Sequence, residues 1–182
     1  MESDDWTSCP FDGSAYDYSP DRLLRQWPRL HQGDREPAPS VDNLRRLENT
    51  EGAAAGLEDR AALLQDAWRA FHRGEYRRAR DAGKALEGLG LAVASKAQAT
   101  YAHYLEPDGG RKQALLLEAA DWARQLSEKY PDYTNGHYYR AFALGRAAQL
   151  ISATEALSRG LAGTVKDSLD EALRLEPDHA DA

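Results

Sequence analysis

From Leu57 onward, apolar residues recur at intervals of three and four in stretches of 12 to 22 residues, separated by glycine or proline. A half-buried strand needs a period of two, so this region is confined to helices that each bury one face. The abundance of Ala, Leu and Arg over β-branched residues gives the same answer, an all-α chain. Six helices fit. The first carries Leu63, Leu64, Ala67, Trp68, Ala70 and Phe71 and ends near Gly74, and the second carries Tyr76, Ala79, Gly83 and Leu86 and ends at Gly88 or Gly90. The third, with Ala94, Ala97, Tyr101, Tyr104 and Leu105, is stopped by Glu106-Pro107-Asp108-Gly109-Gly110, and the fourth, with Leu115, Ala119, Trp122, Ala123 and Leu126, precedes Pro131. The fifth is expected as one long helix from Tyr138 to Leu157, ended by Gly160. The sixth is expected to start at Thr164, where Thr164-Val165-Lys166-Asp167 resembles a capping box.

Ahead of this 57–182 domain, residues 1–56 form an arm of different character. The first 18 residues have no period and are expected to be a mobile tail, so the arm is partly disordered. Ser19-Pro20-Asp21 marks a helix start, and Pro28 is expected to end that helix at Gln26 or Trp27 by disfavouring helical dihedrals at Trp27. Gly33 to Ser40, with Pro37 and Pro39, reads as a linker. Val41, Leu44 and Leu47 mark a second short helix, and Gly52-Ala53-Ala54-Ala55-Gly56 a flexible junction.

The net charge of −7 is an N-terminal property: residues 1–60 hold 13 acids and 7 bases, residues 61–182 hold 17 and 16. Nucleic acid is disfavoured as a partner on that balance. Arg69, Arg73, Arg77, Arg78, Arg80 and Lys84 form a basic run that either attracts an acidic partner or is a solvated face paired with Asp66, Glu75 and Asp81. No apolar run approaches the roughly 18 residues of a membrane span, and the acidic N-terminus is unlike a secretory signal, so a cytoplasmic location is expected. Cys9, the only cysteine, makes neither an internal disulfide nor a thiolate zinc site by itself.

Helices with short connections fold most simply as consecutive antiparallel hairpins. Gly74-Glu75-Tyr76-Arg77-Arg78-Ala79 is a tight turn with an aromatic opening the next helix and a small residue three later. Ala172-Leu173-Arg174-Leu175-Glu176-Pro177 ends a helix in a small-apolar pattern before proline, and Ala119, Ala123, Leu126 and Pro131 repeat it. On these residues the chain resembles the tetratricopeptide repeat (TPR) family, as a degenerate array of about three hairpins over residues 58–182. The interval from Pro131 to Pro177 is 46 residues, against a usual repeat of about 34. The stretch from Tyr138 to Ala172 is similar to bacterial tetratricopeptide proteins of undetermined role and, distantly, to the regulator of microtubule dynamics family. The resemblance implies an α-solenoid, no catalysis and no cofactor, and a groove that holds a peptide or protein. A solenoid end without a polar cap exposes Leu169, Leu173 and Leu175, so either residues have been lost, or a second copy of the chain covers this face, or the helix of Val41, Leu44 and Leu47 caps the other end while this one frays.

Catalytic constellations are not found in the sequence. The P-loop, nucleophile-elbow and zinc-protease patterns are missing, and His31, His72, His103, His137 and His179 stand apart without metal-ligand spacing. Family geometry turns the first helix of each hairpin toward the groove, which places Leu64, Trp68, Phe71 and His72 there, followed by Tyr101, His103, Tyr138, Tyr139, Arg146 and Gln149. Leu64, Trp68, Phe71, His72, Tyr101, Tyr138, Tyr139 and Arg146 are the candidate partner-binding residues. Trp68 and Phe71 are either anchors for a partner peptide or are packed under a neighbouring hairpin or the arm. The arm, with Leu23, Trp27 and Leu30, either occupies the groove until displaced, in which case deleting residues 1–40 raises partner affinity, or is a permanent cap over Trp68. The alternative function is an enzyme or enzyme accessory that uses His72, His103 or His137 with nearby acids.

Overall fold

The structure is a computed structural model that describes residues 6–16, 18–48 and 56–182. The expected junction at residues 52–55 lies outside them. All regular structure among the described residues is helical. A 3-10 turn (Gly13–Tyr16) precedes α1 (Pro20–Leu30), α2 (Val41–Glu48), α3 (Leu57–His72), α4 (Tyr76–Leu86), α5 (Gly90–Tyr104), α6 (Gly109–Lys129), α7 (Thr134–Ala148), α8 (Ala153–Ser158) and α9 (Leu161–Leu175).

Three elements depart from the sequence expectation, each for a local reason. α1 runs through the exposed Pro28 to Leu30. The proline forfeits one amide bond, but the His31 N–H donates to the Trp27 carbonyl at 3.0 Å, and the Trp27 and His31 rings stack at 4.1 Å. The expected long fifth helix is two helices, α7 and α8. The chain turns at Gln149 to Ser152, and the Ser152 hydroxyl accepts from the Glu155 amide at 3.2 Å, capping α8. The Thr164 capping box does not form. α9 begins three residues earlier, behind Gly160 in the left-handed region (φ 65°), and Thr164 sits inside it with its hydroxyl donating back to the Gly160 carbonyl at 3.2 Å.

Packing follows chain order: α3 on α4, α4 on α5, α5 on α6, α6 on α7, then α7 on α9, while α3, α5 and α7 also touch in succession and α1 and α2 lie on α3. Small residues permit the close approaches. A Cβ at Gly83 of α4 would stand 2.5 Å from the Gly90 carbonyl oxygen of α5, and Ala99, Ala102, Ala119, Ala120, Ala143 and Ala147 line the buried seam of α5, α6 and α7 around Leu116. The arm enters the core. Tyr18, Leu23, Trp27 and Leu44 are buried in one apolar cluster with Leu57, Leu64, Trp68, Val93 and Tyr139. Trp6 and Thr7 of the aperiodic opening segment are also anchored: Trp6 stacks on Tyr101 with centroids 3.9 Å apart, and the Thr7 amide donates to the Tyr101 hydroxyl at 3.1 Å.

Candidate functional site, a groove filled by the arm

The succession of α3, α5 and α7 makes a face, and the turn after α1 lies against it. Helix α1 points Trp27 and His31, one helical turn apart, at α3. Trp27 meets Trp68 edge to face at 5.5 Å, and His31 meets Trp68 at 5.0 Å. Beyond His31 the chain turns. The Arg35 N–H closes on the His31 carbonyl at 2.9 Å, Arg35 itself takes a left-handed conformation (φ 51°), and the Trp27 indole N–H donates to the Glu36 carbonyl at 2.7 Å. Asp34 and Glu36 are thereby turned inward, 2% and 6% exposed, while Arg35 between them faces solvent.

The two carboxylates meet donors from α5, α7 and the approach to α7, and Asp34 also meets His31 of the arm. Asp34 accepts from His31 Nδ1 at 2.9 Å, from Lys96 Nζ of α5, and from the Tyr139 hydroxyl of α7 at 3.0 Å. Glu36 accepts from the Tyr133 hydroxyl just before α7 and from Asn135 Nδ2 at 2.6 Å, and it lies 2.8 Å from the Tyr139 hydroxyl oxygen. The C-terminal segment closes the far side: His179 Nε2 lies 2.9 Å from Asn135 Oδ1, and the Ala180 N–H donates to the Gly33 carbonyl at 3.0 Å. Further along the arm, Gln65 Nε2 donates to the Pro39 carbonyl at 2.8 Å, and Arg60 pairs with Glu48 at 2.7 Å.

Proton placement follows from the geometry. Burial opposes ionisation of Asp34, but the His31 hydrogen bond and the Lys96 charge hold its carboxyl well below the usual range. With its proton on Nδ1 toward Asp34, His31 presents Nε2 as an acceptor for His72 Nε2–H, 3.2 Å away. Burial, then the charges of His31 and Lys96, depress His72 to about 3, and burial depresses His31. Tyr139 has one O–H and two carboxylates within reach, so a protonated Glu36 donates to the Tyr139 oxygen while Tyr139 donates to Asp34. Burial and the Asp34 charge push Glu36 up to about 7 against the pull of its hydroxyl and amide donors. Every polar atom of the two acids is then matched, and the cavity beside Glu36 and Trp68 is only about 20 Å³.

The candidate residues separate into two groups. Leu64, Trp68, Tyr101 and Tyr139 are buried, so they do not form an open partner surface: Leu64 and Trp68 lie under the arm, Tyr101 lies under Trp6 and donates to Glu106 at 3.1 Å, and Tyr139 is committed to Asp34 and Glu36. His72 is half-buried against His31, and Phe71 is half-buried between Trp68 (5.5 Å) and Tyr76 (5.7 Å). Tyr138 and Arg146 line a shallow depression of about 520 Å³ with Phe142, Gln149, Leu169 and Asp181. His103 packs on Tyr104 at 4.4 Å, and His137 Nε2 lies 2.9 Å from the Pro131 carbonyl. The histidines are not all isolated, since His31 and His72 converge with Asp34. Among the described residues, no group of three His, Cys, Asp or Glu is disposed to hold a metal ion, and no helix is long and apolar enough to cross a membrane.

The basic run resolves into pairs: Arg78 and Arg73 with Glu75 at 2.8 and 3.2 Å, Arg80 and Arg77 with Asp81 at 2.7 and 3.9 Å, and Arg69 with Asp66. Sequence reasoning missed His31, Asp34, Glu36, Lys96, Tyr133 and Asn135. The signal available was small: two acids in a proline-bearing linker, and His31 four residues after Trp27 on the same helical stripe. Compared with family models, with curated proteins and with solved structures, the chain matches none.

Proposed function

We propose that the chain is a non-enzymatic cytoplasmic interaction scaffold of the tetratricopeptide type, whose groove takes up a segment of another protein and whose arm stands in that groove as an internal substitute. The observation that carries this reading is the complementarity of the face. Lys96, Asn135, Tyr133 and Tyr139 are spread over α5, α7 and the approach to α7, and they converge on the side chains of an irregular polypeptide segment. The succession of α3, α5 and α7 supports a stack of hairpins. The resemblance gains from the insertion as well, because the 46-residue interval between Pro131 and Pro177 exceeds the roughly 34-residue repeat by about the length of the segment 149–160 that holds α8. Acid–base chemistry through His72 has less support, since the polar atoms it would use are spent on one another and His103 and His137 stand elsewhere.

Deleting the arm is a poor test, because Leu23, Trp27 and Leu44 would leave the core with it. A protease site placed within residues 49–55 and cut in the folded chain leaves the arm held by non-covalent contacts alone. The arm fragment is expected to co-elute with the helices and then to exchange with an added fluorescent peptide covering residues 19–48. An arm that exchanges only on global unfolding would be a fixed part of the core, and the reading would fail.

A further inference from the structure

Which polypeptide fits the groove can be read from the segment that fills it. The arm organises itself as a short helix end: Trp27 bonds the Glu36 carbonyl, His31 bonds Asp34, and Arg35 makes the left-handed turn between the acids. The groove supplies the rest. Trp68 and His72 receive the helix end, Lys96 and Tyr139 receive the first acid, and Tyr133, Asn135 and Tyr139 receive the second. All three side-chain hydrogen-bond partners of Glu36 come from the groove and none from the arm, so it is read directly. Pro37 restrains Glu36 to the extended region and starts the chain along α3, toward the Gln65 contact at Pro39.

We infer that this face is a receptor for a helix end followed by Asp-x-Glu-Pro, and that residues 27–39 are a resident and deliberately imperfect copy of that ligand; the inference rests on the scaffold reading above. The imperfection is at Arg35. A left-handed φ of 51° is costly for a residue with a Cβ, and Arg35 is exposed, with no side-chain bond to the groove among the described residues to repay it. A partner segment with glycine or asparagine at that position escapes the strain, makes the same contacts and displaces the arm. The partner class is therefore a polypeptide bearing Asp-Gly-Glu-Pro or Asp-Asn-Glu-Pro after a helix.

The test uses the full chain and labelled peptides covering residues 19–48, read by fluorescence anisotropy. A chain carrying Asp34→Asn and Glu36→Gln in its own arm is expected to bind the peptide at least tenfold more tightly than the parent chain does. The peptide carrying Arg35→Gly is expected to bind that chain about fivefold more tightly than the native peptide, and the peptide carrying both acid substitutions at least tenfold more weakly. Equal binding of the acid-substituted peptide would overturn the ligand assignment while leaving a groove that takes polypeptide. Binding of no peptide to any cooperatively melting chain would overturn the scaffold reading as well. Should the doubly substituted chain not fold, the chain carrying only Arg35→Gly decides: amide exchange at Glu36, Ala38 and Ser40 is expected to slow about fivefold, and unchanged or faster exchange would overturn the claim that Arg35 weakens the resident segment.

Discussion

Lys96 meets Asp34 where the Asp34 side chain is 2% exposed and the Lys96 side chain 22%, so its removal is not a surface change. Lys96→Met leaves a shielded carboxylate with only the His31 and Tyr139 bonds. A loss of about 3 kcal/mol is expected, measured by urea unfolding. Glu36 gives a pH signature of the opposite sense to an ordinary carboxylate. Its value is raised to about 7, so its stabilising contribution is full below the unfolded value of 4.5 and is lost as pH rises through 7. His31 and His72 are depressed, and theirs is present above 6.5 and lost as pH falls toward their folded values. The two trends overlap, so the informative quantity is a difference. Relative to the parent, Glu36→Gln should gain stability as pH rises from 5 to 8, by at most about 3 kcal/mol, and a flat difference would mean that Glu36 is ionised throughout. The His72 imidazole resonances should show no titration between pH 8 and 5. Helical spacing made Trp68 and His72 legible as one stripe, but nothing local in Gly33-Asp34-Arg35-Glu36-Pro37 reveals that its acids are buried, because that depends on residues about a hundred positions away in the chain.

Helix boundaries were legible wherever a break was chemically loud. Glycine and proline ended α3, α4 and α6 close to where the periodicity placed them. The misses came from quieter competition. Ser152 caps α8 in a run whose apolar spacing continues past it, and Gly160 starts α9 before the threonine that looked like the cap. Pro28, which looked decisive, is tolerated because it lies on the exposed side of α1 while Trp27 and His31 hold the other. Two glycines inside helices have opposite expected behaviour. Gly83→Ala drives a methyl against the Gly90 carbonyl and should cost about 1–3 kcal/mol, whereas Gly145→Ala in α7 meets open space and should stabilise by about 0.5–1 kcal/mol. Thermal denaturation of the pair separates contact from propensity.

The molecule as a whole is closed from two sides. The arm lies on α3, α5 and α7, and the C-terminal segment bonds the arm through Ala180 on Gly33 and α7 through His179 on Asn135. Removing residues 179–182 should therefore speed amide exchange across residues 31–40 while leaving α5 and α6 unchanged, as read by mass spectrometry; equal protection would mean that the C-terminal clasp contributes nothing. The all-α class and the succession of hairpin-like pairs were legible from period and punctuation alone. The occupancy of the groove was not, since it is a long-range pairing with no periodic trace.

Trp27 belongs to the arm and Trp68 to α3, and their rings stand 5.5 Å apart at 89°. Two indoles at that separation behave as coupled chromophores, and parting them restores two independent ones. Separation of the arm from α3 would therefore be readable by circular dichroism without any label.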